Sequence, residues 1–405
     1  MSTPLYATDQ AVEALASARP ELVGVVPARD VSDHLAGGGA SHAGPPITSQ
    51  RMCGPMRAAL GVALAIEGLA DSPEEALDLA DVGEIPLSTN HDIGGVGPMS
   101  GVITGSMPVF VARDERTGTQ AWCPLNEGSG KVLRYGADDA EVVARLEWMR
   151  DELAPALAAA IERTGPIDLL GLHAGSLERG DECHHRTEAG TELIGELLAP
   201  LPDDVTAFIA GNGQFFLNVA MVFAKLALQC AEGVPGSSLV TVVARNGVEV
   251  GVKLSGTGGR WFVGPAAAPD PHALYEGYAP ADMNPDLGDS AIIEVYGLGA
   301  LAIGASPASA LTVGIDPKTI DERMASFRRI AAGEHPVLRL PTTTDEPPVA
   351  AILGVDARAV VREGIVPPIH TGIAHREPGI GQIGGGVTLP PMEAFVAAVA
   401  ALDPS

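Results

Sequence analysis

Lysine is scarce in this 405-residue chain: only Lys131, Lys225, Lys253 and Lys318 occur. With the arginines they give 25 cations against 51 carboxylates, a formal net charge of −26. Such a field repels nucleic acid and anionic membranes, so neither is an expected partner. Cysteine is sparse too. Cys53, Cys123, Cys183 and Cys230 lie far apart without a C-x-x-C pair, which argues against a disulfide frame and for reduced thiols in a cytoplasmic protein. No apolar run reaches the roughly 18 residues of a membrane span. The N-terminus also lacks the basic-then-apolar layout of a signal peptide.

Several catalytic templates are missing as well. The stretch from Leu125 to Val132 looks like a phosphate loop, but Leu125 stands where the first Gly belongs and Val132 where Ser or Thr should follow Lys131. Gly379, Gly381 and Gly384 fit G-x-G-x-x-G, yet too little chain follows for a dinucleotide-binding βαβ unit. No G-x-S-x-G elbow and no H-E-x-x-H helix occurs.

What is present is a globular composition, 46% hydrophobic, with 49 Gly and 33 Pro marking many turns. At roughly 150 residues per domain, the length suggests two or three domains. Ser72-Pro73-Glu74-Glu75 is a capping box that starts a helix running to about Val82. The runs Met107 to Val111 and Gln120 to Leu125 predict a hairpin. Apolar residues from Val142 to Ile161 recur at helical spacing, with further helices at Thr187 to Leu198 and Gln214 to Cys230 and a short strand at Ile167 to Leu172. Asn246-Gly247 joins two β-branched runs in a hairpin. Strands are expected near Val337 to Leu340 and Val349 to Leu353, and helices near Ser290 to Ile303, Pro317 to Ala331 and Pro391 to Leu402. The expected fold is mixed α/β (α+β) and multidomain: an N-terminal α/β domain at 1–137, a central helical subdomain at 138–235 and a C-terminal α/β domain at 236–405.

Gly-rich polar clusters punctuate these elements. They centre on His42, His91 with Gly97 to Gly101, Asn126 to Arg134, Gly180 to Arg186, Ser255 to Trp261, Asn284 to Ser290, and His370 to Gly386. Glycine lets backbone N–H groups approach an oxyanion, and Arg or Lys supplies the opposing charge. Each cluster also has a plain structural reading: a turn, an ion pair or a helix cap. In the run Asp181-Glu182-Cys183-His184-His185-Arg186, a helical backbone would turn one of the two adjacent histidines to solvent.

At these clusters the sequence resembles the YlbE/YahG-like family, which includes the large subunit of bacterial oxamate carbamoyltransferase. The matching stretches are HAGPP at His42, GPMSG at Gly97, LNEGSGKVLRYG at Leu125, GDECHHR at Gly180, QFFLNVAM at Gln214, ARNG at Ala244, SGTGGRWFVGP at Ser255, NPDLGDSAIIE at Asn284 and TGIAHREPGIGQIGGG at Thr371. The sequence departs from the family pattern at Asp92 and Lys253. The resemblance implies a carbamoyltransferase-type enzyme or its large subunit, interconverting an oxalurate-like compound plus phosphate with an oxamate-like amide plus carbamoyl phosphate. It implies an FdrA-type partner and a smaller partner subunit, in a homo- or hetero-oligomer acting on a small anionic substrate.

Carbamoyl transfer needs cationic and N–H donors for the developing oxyanion and a group to move the amide proton. On that chemistry the catalytic candidates are His42, His184, His375, Glu127 and Asp289. Candidates for holding the substrate or an anion are Asn126, Lys131, Arg134, Arg186, Arg260, Asp286 and Gln382. Neither a metal nor an organic cofactor is called for. The alternatives are an amide or cyclic-imide hydrolase with a metal at Asp181, Glu182 and His184, and a noncatalytic scaffold subunit.

Overall fold

A computed structural model describes residues 4–270, 274–342 and 347–402. The fold is mixed α/β. One antiparallel sheet orders Thr119–Pro124, Pro108–Asp114, Glu21–Pro27 and Ile167–Asp168; a second orders Leu287–Gly288, Val240–Asn246, Glu249–Leu254 and Phe262–Pro265. Between them runs the helix Phe215–Gln229, packed on the first sheet and on the helix Ile292–Tyr296. It is apolar all round, as a helix enclosed by protein should be. Even its Lys225 is only 2% exposed, with Nζ 3.4 Å from the His91 carbonyl and 3.8 Å from Glu232. One continuous apolar interior joins Phe110, Leu153, Phe216, Val243, Ile293 and Phe395. No single helix among the described residues is long and apolar enough to cross a membrane.

Local signals act where expected. Ser72 Oγ accepts the Glu75 N–H at the start of the Pro73–Asp81 helix, and Glu75 accepts the Asp71 N–H in return. At the Asn246-Gly247 turn, Gly247 has φ +78° and Asn246 Oδ1 accepts the N–H groups of Val248 and Glu249. Three expectations change. The strand at Ile167 to Leu172 stops at Asp168, whose carboxylate accepts the Leu170 N–H and caps the helix Leu169–Glu178. The helix expected over Ser290 to Ile303 is broken after Tyr296, where Gly297 takes φ +117°, and resumes as a 3₁₀ segment at Gly299–Ala305. The glycine-rich cluster from His370 to Gly386 is not a turn alone but most of a hairpin of Ile369–Ala374 with Gln382–Thr388.

Candidate active site

Three histidines, an arginine and several neutral donors face one cavity of about 340 Å³. Its walls come from distant segments: Pro98 and Met99; Asn126, Arg134 and Tyr135; His184 and His185; Gln214 and Leu217; Tyr275; Ser290; and His370, Thr371, Gly372 and Gln382 from the last hairpin. The segment 180–186 is a loop, not a helix. Cys183 adopts the left-handed backbone at φ +73°, and its N–H donates to the Arg186 carbonyl. The tight turn, uncommon for a residue with a Cβ, corrects the helical expectation: both His184 and His185 line the cavity.

Two buried carboxylates hold this arrangement in a crossed pattern. Glu182 accepts the backbone N–H groups of His184, His185 and Arg186 at 2.7–2.9 Å and lies 3.3 Å from His370 Nδ1. Glu294 accepts His184 Nδ1 at 2.7 Å, the Ala300 N–H at 3.1 Å and the His370 backbone N–H at 3.2 Å. Each carboxylate therefore fixes one imidazole and the main chain of the other histidine. Gly299 makes room for this: its φ is +57°, and a Cβ there would collide with the Glu294 carboxylate.

The two histidines are thereby made unlike. Glu294 Oε1 accepts three N–H groups, and with Nδ1 turned to it His184 keeps Nε2 free of protein partners. Burial works against a charged His370, but the Glu182 carboxylate, with Glu294 behind it, outweighs that and raises its pKa above the usual histidine value. Burial likewise opposes the Glu182 charge, yet His370 and the backbone donors bring its pKa down to about 2. His185 is the third ring; burial lowers its pKa, and its Nε2 bonds Thr312 Oγ1 at 2.8 Å. Arg134 supplies permanent charge. Its Nη2 donates to the Gly128 carbonyl, while Nη1 makes no hydrogen bond and lies 3.7 Å from Glu127.

Comparison with known proteins decides the kinship. A family profile described as "Oxamate carbamoyltransferase subunit AllG" matches residues 85–290. The oxamate carbamoyltransferase subunit AllG of Escherichia coli (strain K12) is 38% identical over 410 residues, covering 97% of this chain and 96% of that one. The chain belongs to the AllG/YahG family. A second AllG/YahG relative, the uncharacterized protein YahG of the same organism, is 38% identical over 407 residues, 97% of this chain and 84% of its own length. The fold of the family is also seen in a crystal structure of a conserved protein of unknown function from Enterococcus faecalis V583. That structure matches with a TM-score of 0.94 and 38% identity, covering 98% of this chain and 97% of its own.

In this AllG/YahG-family chain, Asn126, Arg134, His184 and Gln382 of the sequence candidates meet at the cavity. Gln382 accepts the Tyr135 hydroxyl at 3.1 Å, and Asn126 donates to Asn218 at 2.8 Å. Three carboxylates stand one step behind. Glu127 accepts the N–H groups of Leu133 and Arg134, and Asp286 accepts Thr371 Oγ1 at 2.7 Å. Asp289, next to Ser290, accepts from Gly44, Asn90 and Gly97; burial pushes its carboxyl up to about 6 against those donors.

The remaining candidates lie outside the cavity wall. His42 is buried with Nδ1 against the Ala43 carbonyl, its pKa lowered by burial, and His375 Nδ1 accepts the Glu377 N–H. Arg186 faces Asp181 at 3.4 Å and Glu188 at 3.6 Å, and the Arg260 guanidinium lies over the Phe262 ring. Lys131 is exposed and pairs with Asp139 at 2.9 Å. With twice as many carboxylates as cations, a long flexible cation at the surface finds a nearby acid without entering a cleft. Lys131→Ala is accordingly expected to leave phosphate binding and the melting temperature unchanged, measured by calorimetry and thermal denaturation; a tenfold loss of phosphate affinity would restore Lys131 to the site.

The Asp181, Glu182 and His184 set does not converge. Asp181 accepts Ser176 Oγ and the Gly190 N–H, and Glu182 is turned to the main chain. Among the described residues no three His, Cys, Asp or Glu side chains are arranged to hold a metal ion. Sequence reasoning missed His185, His370, Thr371, Ser290 and the supporting role of Glu294. The available signal was His370-Thr371 inside the apolar run from Ile369 to Ala374, where a polar pair in a buried strand needs an explanation.

Proposed function

We propose that this cavity transfers a carbamoyl group between a small oxalurate-like anion and phosphate, the chain serving as the large subunit beside FdrA-type and smaller partner chains. The observation that carries the reading is the crossed pair His184–Glu294 and His370–Glu182, two imidazoles held by buried carboxylates on one cavity with Arg134, which we read as proton acceptor and proton donor. The name of the AllG relative supports the choice of carbamoyl transfer. The concentration of Arg134 and three histidines in an otherwise acidic protein supports an anionic ligand.

In the step itself, a phosphate oxygen adds to the carbamoyl carbon and its proton passes to His184 Nε2. The C–N bond breaks, its electron pair leaves on the amide nitrogen, and cationic His370 protonates that nitrogen. Oxamate and carbamoyl phosphate result, and the two rings, 6.3 Å apart, return to their starting states by passing the proton back. Arg134 holds the carboxylate end, while Ser290 and Gln382 offer donors to the developing oxyanion.

The test is phosphate-dependent formation of carbamoyl phosphate from oxalurate, using the chain alone and reconstituted with its partner chains. Turnover by the reconstituted enzyme that His184→Ala lowers by about 10² or more supports the reading. Turnover that His184→Ala leaves intact would move the chemistry to another subunit.

A further inference from the structure

Beside the polar cavity lies an apolar chamber of about 60 Å³. The two compartments share Pro98, Asn126 and Arg134, so the residue that carries the cavity's permanent charge also stands on the wall of the chamber. The rest of the lining includes Val102, Leu125, Leu133 and Met149, all at most 7% exposed. Met149 opens a π-helical turn, Met149–Leu153, inserted between the helices Ala140–Trp148 and Ala154–Thr164. Such insertions change which side chains a helix presents and occur often at functional sites. Ser106, Glu127 and Arg150 also border the chamber, but its exposed wall is mainly apolar, so a small alkyl group would find close apolar contacts on several sides.

We propose that the chamber is a second subsite of the same pocket, taking a short uncharged alkyl group of a substrate whose carboxylate end is held at Arg134. The inference rests on the reading of the polar cavity as a small-anion site and adds to it a substrate class: an N-substituted or chain-extended oxamate-like amide in place of oxamate alone. The shared wall at Arg134 decides the occupant. A ligand anchored on Arg134 has the polar donors on one side and the apolar wall on the other, so an alkyl substituent on it leaves water for the chamber without losing the ionic contact.

The experiment is equilibrium binding of oxamate and of N-propyloxamate to the full chain by calorimetry. The propyl compound is expected to bind about tenfold more tightly, or better. Val102→Phe, which fills the chamber, is expected to abolish that advantage and leave oxamate affinity within twofold. Leu146→Trp, on a partly buried position of the same lining, provides a second filling variant should Val102→Phe melt early. Equal or weaker binding of N-propyloxamate by the unaltered chain, with oxamate still bound, overturns the subsite alone. Binding of neither compound removes the small-anion reading and the subsite with it.

Discussion

His370→Asn is expected to lower kcat/KM for the proposed carbamoyl transfer by about 10² to 10⁴, the usual worth of a positioned acid or base, with the fold retained. The sign of the pH dependence follows from the carboxylates around the ring. Glu182 and Glu294 raise the His370 pKa, so its cation is fully present below the ordinary histidine value and is lost as pH rises through the raised one. Activity that needs the cation therefore declines on the alkaline side. Glu182→Gln removes the larger of the two stabilising charges, and the decline is expected to move to lower pH. His184→Ala abolishes the acceptor instead and should lower the plateau without moving that limb. A pH–rate profile of the reconstituted enzyme, with the His370 proton followed by NMR, separates these outcomes. An unchanged alkaline limb in Glu182→Gln would remove His370 from the proton-donor role.

The second large effect is on stability. Arg245 and Asp286 form an almost fully buried pair, Nε to Oδ2 at 2.7 Å, with Arg245 Nη1 also on the Gly288 carbonyl at 2.6 Å and Asp286 accepting Thr371. Arg245→Met leaves the Asp286 carboxylate buried without its counter-charge and is expected to cost about 3–5 kcal/mol of unfolding free energy. Urea denaturation measures it. Asp286→Leu added to Arg245→Met removes the orphaned charge and is expected to recover much of the loss, because burying the pair itself required desolvating both ions. A single-variant loss below about 1 kcal/mol would mean that water or a rearranged partner already compensates Asp286. Because Asp286 is the anchor of Thr371, the double variant should also weaken oxamate binding, whereas a purely global destabilisation would lower the melting temperature and leave affinity intact at low temperature.

The contrast between the two histidines of the 180–186 loop shows where sequence reading stops. Neighbouring positions on a helix diverge, and that argument turns one of the two to solvent. The actual turn depends on Cys183 accepting a left-handed backbone and on Glu182 gathering the N–H groups two, three and four residues on. Neither belongs to the helical pattern on which that argument rests. His370 shows the same limit from the other side: its glycine-rich surroundings suggest a loop, but strand pairing from Ile369↔Thr388 to Ala374↔Gln382 makes it part of a hairpin and brings it to the Glu182 carboxylate.

Composition, capping and period are properties of neighbouring residues, so the sequence by itself determined the Ser72 helix start, the Asn246-Gly247 hairpin, the enclosed Phe215–Gln229 helix and the need for locally gathered cations in an acidic chain. The motifs also determined kinship, since their order is written in the chain. Which of the Gly-rich clusters meet was decided only by the tertiary structure. It set Arg134, His184, His370 and Gln382 around one cavity and left Lys131, Arg186 and Arg260 to outside acids and aromatic rings, because burial and long-range pairing select partners that no spacing along the chain encodes.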